Sequence, residues 1–455
     1  MYTREFLDSI MKAYDVRGLV DKQITADFAF VLGSAFARFL EEEREPATVV
    51  IGEDMRPSSS PFAEAFAAGV TSQGFDAIRI GLASTDMTYF ASGKLNLPGA
   101  MFTASHNPAE YNGIKLCKSA ARPIGQDSGL RRIRDLVIEG VPMPNRSPGK
   151  ITEKDMLLEY VDFLIGMFGN ELTSAQRRLK VVIDAGNGMA GHTAPAVMEK
   201  LNVDVVPMYF ELDGTFPNHE ANPIDAANVK DLQAAVKKRK ADIGLAFDGD
   251  ADRCFLIDEK GAIVTPSTLT GLIAVRELKR KPGSPIIYNL ISSKAVPEVV
   301  NEHGGTAIRS RVGHSFIKAM MAETGAIFGG EHSGHFYFAD FWKADSGMLA
   351  ALFALAELSS SDKPLSELLA PYNRYVVSGE INTRVADTEK SLHIIRESFK
   401  QDYGIDELDG VTVTADQWWF NVRPSNTEPL LRLNVEGGNK ATMEKVRDKV
   451  LDLIK

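Results

Sequence analysis

The chain has 455 residues, with 51 Lys and Arg against 61 Asp and Glu and a formal net charge of −10. That length exceeds what one hydrophobic core serves, so several domains are expected, and the acidic balance argues against a general binder of nucleic acid or anionic membranes, which needs a basic face. Apolar and charged fractions of 44% and 25% exclude fibrous and disordered classes.

Met1 to Lys12 mixes Arg4, Glu5 and Asp8 with apolar residues, unlike the unbroken apolar core of a signal peptide. Cys117 and Cys254 are the only cysteines and cannot staple a chain of this size, so a reducing, cytoplasmic setting is expected. Three stretches, beginning near Thr48, Lys180 and Pro285, share one grammar: a β-branched strand, a Gly- or Ser-rich turn, an amphipathic helix and a second strand. They predict three sister mixed α/β domains. A smaller α+β domain follows, from GEINTRV, a helix over Thr388 to Gln401, VTVTADQWWFNV, LLRLNVEG and a final helix. With the linker-like stretch Pro142 to Gly149 as the first break, the expected domains are 1–149, 150–255, 256–368 and 369–455. The apolar run Met348 to Leu358 falls short of the ~20 residues that span a bilayer and reads as a buried helix.

In chain order, the first candidate chemistry lies at Arg17, in YDVRG, and at Ser105, in TASHNP. Ser105 is flanked by Thr103, His106 and Asn107, with Pro108 stiffening the loop. A polar turn explains this as well as a nucleophile does. A Ser-His-Asp hydrolase fits less well, because there is no G-x-S-x-G elbow and an adjacent His106 is not expected to fold back as the base of Ser105. Lys115 can bring positive charge to the same place.

Gly186 to Gly191 matches G-x-G-x-x-G between a strand and a helix, with Asp204 near the offset of a ribose-binding acid. A tight strand-to-helix turn in a structural domain accounts for the same glycines.

Asp248, Asp250 and Asp252, in DGDADR after the strand DIGLAF, are carboxylates at alternate positions spaced by the two smallest residues. They can converge on one hard cation, Mg²⁺ by preference, whereas crowding them without a cation is costly. An EF-hand loop is excluded because its invariant glycine falls on Arg253 and a strand follows at Cys254 to Ile257. An aspartyl-phosphate phosphatase would carry Gly-Thr where this chain has Ala251-Asp252.

Glu331, His332, Ser333 and His335 sit between glycines in GEHSGH, a loop suited to sugar hydroxyls, with His332 read as a rim residue. His314, in RVGHS, adds an imidazole, but no Cys or HExxH spacing supports zinc. Finally Arg423, Ser425, Asn426 and Thr427, in RPSNTEP, gather a guanidinium, two hydroxyls and an amide in one turn between strands, which reads as a phosphate cradle over an ordinary hairpin.

TASHNP, DGDADR, GEHSGH and RPSNTEP, in this order and supported by YDVRG, DGTFPNHEANP and SRVGHS, resemble the α-D-phosphohexomutase family over nearly the whole chain. The resemblance implies four domains around a central active-site cleft, each presenting one loop. It implies that Ser105 is phosphorylated in the active enzyme, and that Asp248, Asp250, Asp252 and the phosphoserine hold Mg²⁺. The phosphate passes to a hexose monophosphate and returns through a hexose 1,6-bisphosphate. Arg17, Lys115 and Arg253 supply charge; His335, His314 and Lys115 are candidate proton carriers. His106, Asn107, Arg253, Lys294, Glu331 and Ser333 contact substrate, and Arg423, Ser425, Asn426 and Thr427 hold the phosphate that is not reacting. His at the variable position of GE-x-SGH resembles the phosphomannomutases, including those that accept glucose phosphates, and Gln would resemble the phosphoglucosamine mutases. The expectation is a monomeric cytoplasmic enzyme acting on small hexose phosphates. A metal-dependent sugar-phosphate phosphatase and a non-catalytic sugar-phosphate sensor are the alternatives.

Overall fold

The computed structural model describes residues 2–424 and 430–454, with His314 and Ser315 described by their backbone alone. Strands alternate with helices where β-branched runs alternate with amphipathic ones, giving the expected α/β class. The chain divides into two units: Met1–Thr265 with Ser333–Leu368, and Pro266–His332 with Leu369–Lys455.

In the first unit, Thr48–Glu53 lies parallel to Asp76–Leu82 on one side and to Gly99–Phe102 on the other. Gly99–Phe102 then pairs antiparallel with Tyr111–Lys118, which pairs antiparallel with Val16–Leu19. The Ser105 loop is therefore the turn of a hairpin, held at both ends by ladder hydrogen bonds. Ile151–Glu153, beyond the Pro-rich stretch, adds a parallel edge strand beside Asp76–Leu82; among the described residues this sheet has seven strands. Thr25 and Ser84 cap the helices Ala26–Glu42 and Thr85–Leu95 by accepting from the amides of Phe28 and Met87.

Leu179–Asp184 lies parallel to both Val203–Met208 and Ile243–Phe247, and Ile243–Phe247 pairs antiparallel with Cys254–Asp258. DGDADR is thus the connection between two antiparallel strands, at the carboxyl end of a parallel one, where open α/β sheets place their ligands. Phe336–Phe338 pairs with Ala344–Asp345. Ser346 then caps the helix Gly347–Ser359, whose run of Leu, Ala, Met and Phe is buried on nearly every side, as expected. Each Leu or Phe buried there contributes about 1.5–3 kcal/mol.

In the second unit, Pro285–Asn289 runs parallel to Thr306–Ser310 and to Phe328–Gly330. The C-terminal part is an antiparallel sheet in the spatial order Val376–Arg384, Leu430–Gly437, Trp418–Pro424, Val411–Thr414, Gly404–Asp406. Helices Thr388–Phe399 and Lys440–Ile454 cover it, burying Leu392, Ile395, Val446 and Val450 against Val413, Phe420 and Leu433. No helix among the described residues is long and apolar enough to cross a membrane.

Candidate active site

Ser105 has a φ of +52°, a left-handed conformation that costs a non-glycine residue about 1–2 kcal/mol and persists only where its surroundings fix it. Its amide donates to Thr103 Oγ1 at 2.8 Å, and its Oγ donates to Asp248 Oδ2 at 2.9 Å. The same turn carries His106 Nδ1 to 3.2 Å from Ser105 Oγ. The left-handed turn brings His106 close to Ser105, although the expectation was only that His106 would not serve as the base of Ser105. His106 is nonetheless not a free base. Arg253 Nη2 donates to that same Nδ1 and lies 3.2 Å from Ser105 Oγ. The charge of Arg253, with burial second, holds the imidazole well below its usual 6.5.

Asp248, Asp250 and Asp252 are all buried, and one oxygen from each lies within 4.8 Å of the others. Lys115 Nζ lies 2.6 Å from both Asp250 Oδ2 and Asp252 Oδ2, and Arg253 Nη2 lies 2.7 Å from Asp248 Oδ2. Two cations thus face three buried carboxylates. Burial pushes the Asp248 carboxyl up to about 7, against the opposing charge of Arg253. Burial also raises Asp250, but Lys115 overcomes it and the group ends below its ordinary value. Asp250 Oδ1 and Asp252 Oδ1 are buried with no hydrogen-bond partner among the described residues. Orphan carboxylate oxygens beside a third carboxylate are what a hard divalent cation satisfies, so these residues fit a metal site.

The remaining geometry explains how the loops meet. A Cβ on Gly249 would stand 2.4 Å from the Ser105 carbonyl oxygen, and one on Gly188 would stand 2.6 Å from the Gly249 oxygen. Met189 N donates to that Gly249 oxygen at 2.9 Å. The G-x-G-x-x-G turn therefore buttresses the DGDADR loop through Gly188, while Gly191 packs against the Phe210 carbonyl instead.

Arg17 Nη1 donates to Asn107 Oδ1 at 2.5 Å while Nη2 pairs with Asp15. His335 Nδ1 donates to Asp345 Oδ2 at 2.8 Å and lies 3.7 Å from Asp252 Oδ1. Burial disfavours the imidazolium, but Asp252 and Asp345 outweigh it and raise the His335 pKa. The first unit thus brings together Ser105, His106, Asn107, Arg17, Lys115, the three aspartates, Arg253 and His335.

Sequence reasoning missed three residues of this constellation. Thr85 Oγ1 donates to Asp250 Oδ2 at 2.6 Å and Thr85 N to the Asp250 carbonyl at 3.0 Å. Asp345 orients His335, and Arg56 underlies the Ser105 loop. The acid that ends Ala344–Asp345 and the cation just beyond Thr48–Glu53 are signals of a weak kind, at or just past strand ends.

The second unit holds the other described candidates. Glu331 is buried and accepts from Gly313 N at 3.0 Å. His332 N donates to Asn289 Oδ1 at 3.4 Å, and His332 Nδ1 is buried without a partner among the described residues. Burial lowers the His332 pKa, against the charge of Glu380 and with that of Arg423, and the residue as a whole is half-buried. Lys294 Nζ donates to the Asp416 carbonyl at 3.2 Å. Arg423 Nη2 pairs with Glu380 Oε2 at 2.9 Å, and Glu380 also pairs with Arg432. Ser425, Asn426 and Thr427 lie outside the described residues, as does the side chain of His314, whose backbone opens the helix His314–Thr324. Ser333 belongs to the first unit.

Models of one family match almost the whole chain. They are described as phosphoglucomutase/phosphomannomutase alpha/beta/alpha domains I, II and III, at residues 8–140, 159–261 and 265–375, and as the C-terminal domain, at 380–453. A phosphomannomutase of Escherichia coli is 37% identical, with 98% of each chain covered. Phosphohexose mutases of Xanthomonas campestris are 37% identical, again with 98% of each chain covered. A crystal structure of a phosphoglucomutase/phosphomannomutase family protein from Burkholderia thailandensis superposes with a TM-score of 0.89 at 31% identity, covering 98% of this chain and 97% of that one.

Proposed function

The chain belongs to the phosphoglucomutase/phosphomannomutase family, and from that premise we propose that it interconverts mannose 6-phosphate and mannose 1-phosphate, accepting glucose phosphates as well, with Ser105 as the phosphate carrier. The observation that carries this reading is the placement of Ser105 Oγ, 2.9 Å from Asp248 Oδ2 and 3.2 Å from Arg253 Nη2.

Phosphorylated Ser105 gives its phosphoryl group to the free hydroxyl of a hexose monophosphate. The Oγ–P bond breaks and Oγ takes up a proton, while a sugar O–P bond forms and the sugar hydroxyl proton passes to a base. The hexose 1,6-bisphosphate then presents its other phosphate, which returns to Ser105 as the Oγ proton leaves and the sugar oxygen takes one up. Little covalent work falls to the protein, so catalysis is a matter of position and charge. Arg253 supports the serine oxygen, and Lys115 offsets the carboxylates beside it. Mg²⁺ held by Asp248, Asp250, Asp252 and the phosphoserine would neutralise charge on the transferring group. His335, oriented by Asp345, and Lys115 are the candidate proton carriers, with His314 a third. Glu331 and Ser333 take sugar hydroxyls, assisted by Lys294, His106, Asn107 and Arg17, and Arg423 with Ser425, Asn426 and Thr427 takes the phosphate that is not reacting. Four domains, 1–149, 150–255, 256–368 and 369–455, each contribute one loop of a monomeric cytoplasmic enzyme.

The test is a product assay with mannose 1-phosphate, glucose 1-phosphate and glucosamine 1-phosphate, with inorganic phosphate followed in parallel. Turnover of the first two without net phosphate release is expected. Equal turnover of glucosamine 1-phosphate would overturn the sugar assignment, and stoichiometric phosphate release would identify a phosphatase.

A further inference from the structure

We propose that Arg56 is a positioning residue that sets where the Ser105 hydroxyl points, an inference that rests on the phosphoserine reading above. Its side chain has no exposed surface, and a buried guanidinium is costly unless its donors are used. They are used almost wholly on the backbone of one loop. Nη1 donates to the carbonyls of Pro108 at 2.8 Å and Tyr111 at 2.9 Å, and Nη2 to those of Ser105 at 2.9 Å and Asn107 at 2.6 Å. Nε lies 3.3 Å from Asp54 Oδ2. Asp54 is itself fixed by Ser59 Oγ at 2.5 Å and by Arg56 N at 3.0 Å. The guanidinium carbon stands 5.1 Å from the centroid of the Phe216 ring.

This arrangement does what a lysine cannot. A planar fork of fixed donors can hold four carbonyls in one relative geometry, whereas an ammonium is a point charge with three rotatable donors. The loop it gathers contains the left-handed Ser105, a conformation that needs outside support. The Ser105 carbonyl is also the oxygen against which Gly249 packs. Any slackening there moves Oγ relative to both Asp248 and Arg253. A misplacement of about 1 Å at a reacting centre costs on the order of 10²-fold in rate. A residue that merely stabilised the fold would change the amount of active enzyme and leave the rate per phosphoserine alone.

The experiment uses Arg56→Lys, which keeps the charge opposite Asp54 but cannot span the four carbonyls. Enzyme charged with phosphate, its phosphoserine content counted by intact mass, is mixed with mannose 1-phosphate in a single turnover. The expected result is a transfer rate per phosphoserine about 30- to 100-fold below wild type, with KM within about twofold. A wild-type rate per phosphoserine would overturn the proposal. If the lysine variant does not fold, Phe216→Leu carries the test, since it removes the ring against which the guanidinium packs and so lets the fork tilt away from its four carbonyls. A fall of about threefold or more at unchanged KM is expected, and an unchanged rate would overturn the proposal. Wild-type enzyme that transfers nothing would instead refute the phosphoserine reading.

Discussion

Ser105 and Asp248 lie 143 residues apart in the chain, yet Ser105 Oγ donates to Asp248 Oδ2 at 2.9 Å. Each stands at the turn of an antiparallel pair, one in each of two sheets of the same unit. The contact joins the Ser105 loop to the DGDADR loop through their backbones as well as their side chains, because Gly249 packs on the Ser105 carbonyl.

Gly249→Ala should therefore separate the two loops. Its Cβ would begin 2.4 Å from a backbone oxygen, so the backbones must shift, at a cost of about 1–3 kcal/mol. We expect kcat to fall by about 10²-fold with KM changed much less, read by steady-state kinetics alongside a thermal melt. A variant with wild-type kcat would show that the close approach does not matter.

Lys115→Met leaves the buried carboxylates of Asp250 and Asp252 without their shared cation. Breaking such a pair costs about 3–5 kcal/mol. The loss should be largest in chelator and should shrink as Mg²⁺ is added, since a ligand at one hundred times its Kd returns about 2.7 kcal/mol. Urea unfolding with and without Mg²⁺ checks this. A stability gap indifferent to Mg²⁺ would argue against a cation among these aspartates.

His219 Nε2 lies 3.0 Å from Asp184 Oδ2. Burial alone would lower the imidazole pKa, but the hydrogen bond and charge of Asp184 outweigh it and hold the group above 6.5. A pKa raised on folding gives stability that is complete below the unfolded value and is lost as pH rises through the folded one. His219→Gln should therefore fall furthest below wild type in thermal midpoint near about pH 6 and approach it near about pH 9. A gap that widens toward alkaline pH would contradict the pairing.

Arg423→Met removes the guanidinium held by Glu380 at 2.9 Å. On the proposed reading it binds the phosphate that is not reacting, so KM for hexose phosphates should rise by about tenfold or more. Spontaneous hydrolysis of the phosphoserine should be unaffected. Unchanged KM would place the cradle elsewhere.

What was legible in the sequence follows the length scale of each feature. Asp248, Asp250 and Asp252 are one short motif, and their convergence needs only the turn between two strands. Strand and helix periodicity likewise survives in local sequence, as in the buried Gly347–Ser359 helix. Ile151–Glu153 left no such trace, because a three-residue edge strand exposed on both faces has no alternation to read. Thr85, Asp345 and Arg56 act only through tertiary contacts. Arg56, in DMRPSS, has the sequence appearance of a solvated cation, although its donors are spent on a loop about 50 residues downstream. The closeness of His106 to Ser105 was not legible, because adjacency in an extended chain keeps neighbouring side chains apart and the left-handed φ of Ser105 cancels that rule.

The central claim is that Ser105 carries the phosphate. Its most direct test compares wild type with Ser105→Ala for mannose 1-phosphate turnover while intact mass is recorded on both proteins. A phosphorylated fraction is expected in wild type alone, with no turnover by the alanine variant; full activity in that variant, or an equal phosphoryl adduct on it, would show that Ser105 is not the carrier.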